Sequence, residues 1–78
     1  MKTVILVTKL FEKVFRIVIK TSKETIFDMT INFDNVTTFG ATPHQKDKSE
    51  LCFNGSETDF IIIPCDYLKL WTAIEKEW

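Results

Sequence analysis

Apolar and polar positions alternate along most of the chain, and that alternation predicts strands. Thr3 to Leu10 opens with Val4-Ile5-Leu6-Val7, a run of high strand propensity. Residues 13–20 carry two overlapping patterns. Val7, Leu10, Phe11, Val14 and Val18 fit a helical stripe, with Thr8 as its cap. Against this, Val14, Ile17, Val18 and Ile19 are β-branched, and Phe15, Ile17 and Ile19 alternate with Arg16, Val18 and Lys20. The strand is therefore the reading adopted. Thr21-Ser22-Lys23-Glu24 reads as a turn. Thr25 to Phe33 then alternates most cleanly: Phe27, Met29, Ile31 and Phe33 point one way, and Ile26, Asp28, Thr30 and Asn32 the other.

The register of this first hairpin follows from its pattern. The two apolar faces must lie on one side, so odd residues oppose odd ones. A tight loop over Thr21-Ser22-Lys23 predicts Ile17 opposite Phe27 and Phe15 opposite Met29. It also pairs Arg16 with Asp28 and Lys20 with Glu24 on the outer face, where such pairs contribute roughly 0.2–1 kcal/mol each.

Asp34-Asn35 is a second turn signal, followed by a short strand over Val36–Phe39. Gly40 to Lys48 is polar and predicts a mobile surface loop. Ser49–Phe53 and Glu57–Ile63 flank Asn54-Gly55, a strong hairpin signal because a type I′ turn needs positive φ at both central residues. A two-residue loop opposes Phe53 to Ser56 and Leu51 to Thr58. Leu51, Phe53, Phe60 and Ile62 then share one face, and Cys52, Ile61 and Ile63 the other.

Pro64 cannot donate to a ladder and ends the last strand near Ile63. Asp66 is placed as a helix N-cap. Behind it Tyr67, Leu70, Trp71, Ile74 and Trp78 recur at helical spacing, with Lys69, Glu75, Lys76 and Glu77 mostly on the other side. The fold expected is α+β: one domain over residues 1–78, an antiparallel sheet of five or six strands with a C-terminal helix packed on one face. One short helix covers one sheet face. The uncovered face then carries Val18, Ile26, Cys52, Ile61 and Ile63. Two outcomes remain open, an interface or closure of the sheet into a small barrel.

Charge adds an asymmetry. The net charge of −1 gives no general drive toward nucleic acid or anionic membrane. Yet residues 1–24 hold six Lys/Arg against two Glu, and residues 25–78 hold four Lys against nine Asp/Glu. These charges pair across the sheet, or they make a bipolar molecule that docks on a copy of itself or on a partner. The N-terminus begins like a signal peptide, but Lys9, Glu12 and Lys13 interrupt it and no cleavage pattern follows. No stretch approaches the roughly 20 apolar residues of a membrane span. Cytoplasmic location and reduced cysteines are expected, with the sequons at Asn35 and Asn54 serving as turns.

Candidate chemistry is sparse. His44 is the only histidine, and no nucleophile motif accompanies it. Cys52 and Cys65 are too few and badly spaced for zinc, and Gly40 and Gly55 make no phosphate loop. No cofactor, metal or catalysis is expected. Asp47, Glu50, Glu57 and Asp59 gather around the second hairpin, where they solvate an edge and guard it against aggregation, or form an acidic rim for a basic partner. Lys9, Lys13, Arg16 and Lys20, near Phe11 and Phe15, are the one basic group with aromatics nearby.

These features predict a non-enzymatic protein-binding module. It would be a small inhibitor or regulator, of the kind phages and mobile elements encode, that occludes a partner protein or a second copy of itself. The expected interface is Val18, Ile26, Cys52, Ile61 and Ile63, with Glu50, Glu57 and Asp59 at its edge and Trp78 as an anchor. The alternative is a small nucleic-acid-binding domain using Lys9, Lys13, Arg16 and Lys20. Neither reading involves a membrane.

Overall fold

The computed structural model of the chain describes residues 2–55 and 59–78. Among them are six strands and a C-terminal helix: β1 (Val4–Phe11), β2 (Val14–Lys20), β3 (Thr25–Asn32), β4 (Val36–Thr42), β5 (Gln45–Phe53), β6 (Phe60–Ile63) and α1 (Tyr67–Glu77). The strands form two antiparallel sheets of three, ordered β1-β2-β3 and β4-β5-β6. This corrects the single sheet expected from sequence. A 3₁₀ turn over Phe33–Asn35 divides them, with the Asn32 side chain accepting from the Asp34 N–H. Phe33 still donates to the Lys13 carbonyl, so the break falls just after the first hairpin.

Residues 13–20 are a strand, as their β-branched content requires. The first hairpin keeps the expected faces but slides by two residues: Ile17 opposes Met29 and Phe15 opposes Ile31. The cause is the turn. The Thr21 hydroxyl accepts from the Lys23 and Glu24 N–H groups, and the Thr21 N–H donates to the Glu24 carbonyl. An irregularity then lets Lys20 pair with Thr25 while Ile19 pairs with Phe27, and Ile26 is left between. Lys20 and Glu24 are therefore not opposite one another. Arg16 nevertheless reaches Asp28 on the diagonal, with Nε and Nη2 donating to the two carboxylate oxygens at 3.0 and 2.7 Å.

Gly40–Lys48 is not a loop. It is the tip of a hairpin in which Thr42 pairs with Gln45 around Pro43-His44. Pro43 fixes its own φ and His44 takes φ +68°, the pattern of a type II turn. Polar strands pair their backbones as well as apolar ones, so composition misled there.

The second hairpin differs in the way that matters most. Asn54 and Gly55 both adopt positive φ, at +55° and +70°. However, their N–H groups donate to the Asn35 carbonyl and the Thr37 hydroxyl, and the Phe53 N–H donates to the Asp59 carbonyl. The connection is thus longer than two residues. Leu51 opposes Ile61 and Ser49 opposes Ile63. The expected Leu51–Thr58 pairing does not form, and the partners Ser56 and Thr58 lie outside the described residues. A shift of three, an odd number, exchanges the two faces of β6.

Both sheets and the helix share one core. Phe15, Ile17, Ile19 and Ile31 enter from the first sheet, Leu51 and Ile63 from the second, and Leu70 and Ile74 from α1. Ser49 is buried among them and its hydroxyl donates to the Cys65 carbonyl at 2.6 Å. The helix starts where the sequence placed it, with Asp66 Oδ1 accepting from the Leu68 and Lys69 N–H groups. It packs beside β1 and β5 on the inner side of the sheets. The outer face of β1-β2-β3 is left uncovered by α1.

Candidate protein-docking surface

The residues expected to form one interface separate into four places. Ile63 is fully buried in the core and Ile61 packs against it, so both leave the candidate surface. The odd register shift is the reason. Glu50 and Cys52 lie on the outer face of β5, opposite Ile62 and Phe60, with Asp59 exposed just before β6. Glu57 lies outside the described residues. Trp78 remains 52% exposed but stacks on Phe15 at 5.7 Å and stands edge-on to Phe33. There it closes a ring cluster with Phe39, Tyr67 and Trp71, around an apolar cleft of about 310 Å³.

Val18 and Ile26 stay together on the outer face of the first sheet, and the ladder shows what joins them. Leu6 opposes Val18, and Val4 opposes Lys20. Strand alternation that buries Phe15, Ile17 and Ile19 turns Val4, Leu6, Val18 and Ile26 outward. Val4 is 50% exposed, Leu6 43% and Ile26 42%. Val4, Leu6 and half-buried Val18 form an apolar strip on β1 and β2; on β3 Asp28 stands opposite Val18, and Ile26 extends the strip from the register irregularity beside it. Sequence reading missed Val4 and Leu6 because Val4-Ile5-Leu6-Val7 is apolar at every position, and a continuous run does not reveal which side is outer.

Two grooves flank the strip and meet at Val4. One, of about 600 Å³, lies at the turn end of the sheet and is lined by Lys2, Lys20, Lys23 and Glu24. The other, of about 560 Å³, runs along the β1 edge between the start of β1 and the length of α1, and holds Leu68, Lys69 and Lys76. Leu68, on the outer side of the helix, is 68% exposed. Five lysines therefore border the strip, against Glu24, Glu77 in a further groove past Leu6, and Asp28 opposite Val18. None of the five is in an ion pair among the described residues.

The basic residues named for nucleic acid behave differently. Arg16 is held by Asp28, Lys13 by Asp34 at 3.5 Å, and Lys9 Nζ donates to the Trp78 carbonyl. The Arg16 hydrogen bonds hold the Asp28 carboxyl below its ordinary value and raise the guanidinium in return. Of that group Arg16 and Lys20 lie on the outer face of the first sheet, on either side of Val18 along β2, and Arg16 is already engaged by Asp28.

His44 sits exposed on the β4–β5 turn. Burial pushes the Cys65 thiol up, the charge of Asp66 adds to it, and its Sγ donates to the Asp66 carbonyl. No group of three or more metal-ligating side chains is assembled among the described residues. No described helix is long and apolar enough to cross a membrane. Comparison with protein-family models, characterised proteins and solved structures found no match.

Proposed function

We propose that the protein is a non-catalytic, cytosolic protein-binding module, a small inhibitor or regulator that covers part of a partner through the outer face of β1-β2-β3. The observation that carries this reading is the strip of Val4, Leu6, Val18 and Ile26. Leu6 and Val18 adjoin across the β1–β2 ladder with Val4 next along β1, Ile26 is exposed on β3 beside the Arg16–Asp28 pair, and α1 packs on the opposite side. Apolar surface of this kind costs free energy in water and is recovered by association. The expected interface is thus kept in part, through Val18 and Ile26, and moved off Ile61 and Ile63.

Nucleic-acid binding is the weaker reading, since Lys13 and Arg16 are already engaged with carboxylates on the same fold. The test is crosslinked capture of partners by the wild-type protein and by a Leu6→Asp, Ile26→Asp double variant. Light scattering on both proteins identifies a second copy of the chain as occupant. The proposal expects one stoichiometric partner, lost in the variant while the circular dichroism spectrum and melting temperature hold. Equal capture by both proteins, or none by either, rejects it.

A further inference from the structure

We infer that the occupant of this face is an acidic amphipathic helix of the partner protein. This rests on the docking surface proposed above and adds its chemistry. The surface has an apolar centre and a basic border, a distribution opposite to that of the whole chain. Five lysines surround the strip against Glu24 and Glu77, with Asp28 neutralised by Arg16 on the same face, while the chain as a whole carries net charge −1. Complementarity therefore calls for carboxylates around an apolar stripe.

The dimensions favour a helix. Three strands span about 10 Å at the usual spacing between neighbours. That is close to the roughly 10–12 Å diameter of a helix with its side chains. A helix laid there would cover the second face of the β1-β2-β3 sheet, as layered folds commonly do. Its apolar stripe meets Leu6, Val18 and Ile26, and its carboxylates reach Lys20 and Lys23 at one end and Lys69 and Lys76 beside α1.

Phosphate-bearing partners fit less well. Neither groove is lined by Phe, Tyr or Trp. Stacking platforms for single-stranded nucleic acid need such side chains, and interfacial membrane binders characteristically use them. The ring cluster of half-buried Trp71 and exposed Trp78 involves other residues, around the cleft of Phe33 and Phe39.

The test uses fluorescein-labelled synthetic peptides read by anisotropy. The first is a helix with a leucine stripe and glutamate elsewhere. The second replaces glutamate by lysine, and the third replaces leucine by serine. A single-stranded oligonucleotide and phosphatidylglycerol vesicles are run beside them. The inference expects the first peptide alone to bind. Its affinity should fall about tenfold or more in Lys20→Glu with Lys23→Glu, and again as salt rises from 50 to 500 mM.

Equal binding of the lysine peptide, or no effect of the charge reversals, overturns the acidic assignment. Tighter binding of oligonucleotide or vesicles overturns the protein helix. No binding of any peptide also overturns it. If the captured partner is lost in Leu6→Asp, Ile26→Asp yet indifferent to the lysine reversals, the docking face stands and the acidic helix falls.

Discussion

Leu51 stands directly opposite Ile61 across the β5–β6 ladder. That one pairing turns Ile61 and Ile63 inward and leaves Phe60 and Ile62 on the outside. Substitutions in three consecutive isoleucines should therefore differ sharply. Ile63→Ala removes a fully buried side chain and should cost about 2–5 kcal/mol. Ile62→Ala should cost under about 1 kcal/mol. Urea denaturation of both variants checks the register, and equal losses would refute it.

Ser49 is the buried polar residue of the core among the described residues, and its hydroxyl satisfies the Cys65 carbonyl. Ser49→Ala leaves that carbonyl in an apolar setting, at a cost of about 1–3 kcal/mol. Ser49→Cys restores the volume with a poorer donor and should recover only part of the loss. The same denaturation series reads both.

Much of this was legible from the sequence, and what was not has identifiable causes. Pro64 and Asp66 announce the end of β6 and the start of α1 by local chemistry that tertiary context does not change. The alternation in Thr25–Asn32 likewise assigns the inner face of β3 correctly. Ile61-Ile62-Ile63 offers no alternation, so its faces depended on the length of a turn. The Asn54 and Gly55 amides bond to Asn35 and Thr37, residues distant in sequence, and this lengthens the turn beyond what the dipeptide suggests. Residues 45–48 are polar yet extended, because β5 continues past the core to the Pro43-His44 tip: Gln45 pairs with Thr42, while residues 46–48 fall in the register shift between Ala41 and Thr42. The candidate surface was half visible: Val18, Ile26 and Lys20 were named, but under two competing readings. Lys69, Lys76 and Leu68 join them only because α1 runs beside β1.

Asp66 accepts from two amides at the start of α1. Asp66→Ala should destabilise the protein by about 0.5–2 kcal/mol, whereas Asp66→Ser should retain most of the cap. Thermal melts followed at 222 nm distinguish the two.

Arg16 and Asp28 offer a pH signature. Because the folded carboxyl titrates below its ordinary value, its contribution to stability is fully present above that ordinary value and is lost as pH falls through the folded one. Carbon-detected NMR titration should show Asp28 low in the wild type and back in the ordinary aspartate range in Arg16→Gln. An unchanged midpoint would mean that the pair does not persist in solution.

Cys65 should be slow to alkylate. Its thiol is buried and its ionisation is pushed up, so little thiolate is available at pH 8. Iodoacetamide with mass-spectrometric readout should modify Cys65 only when denaturant is added. Rapid labelling of the native protein would contradict the packing of the β6–α1 connection.

The most direct measurement is a methyl NMR footprint of the protein, with isotope-labelled Val, Leu and Ile, bound to its captured partner. The prediction is that the methyls of Val4, Leu6, Val18, Ile26 and Leu68 shift or broaden while those of Ile17, Ile63 and Ile74 stay in place. Perturbation confined to Ile62 or to Val36, with the first group unmoved, would place the partner on the second sheet or at the aromatic cleft and contradict the docking face proposed for β1-β2-β3.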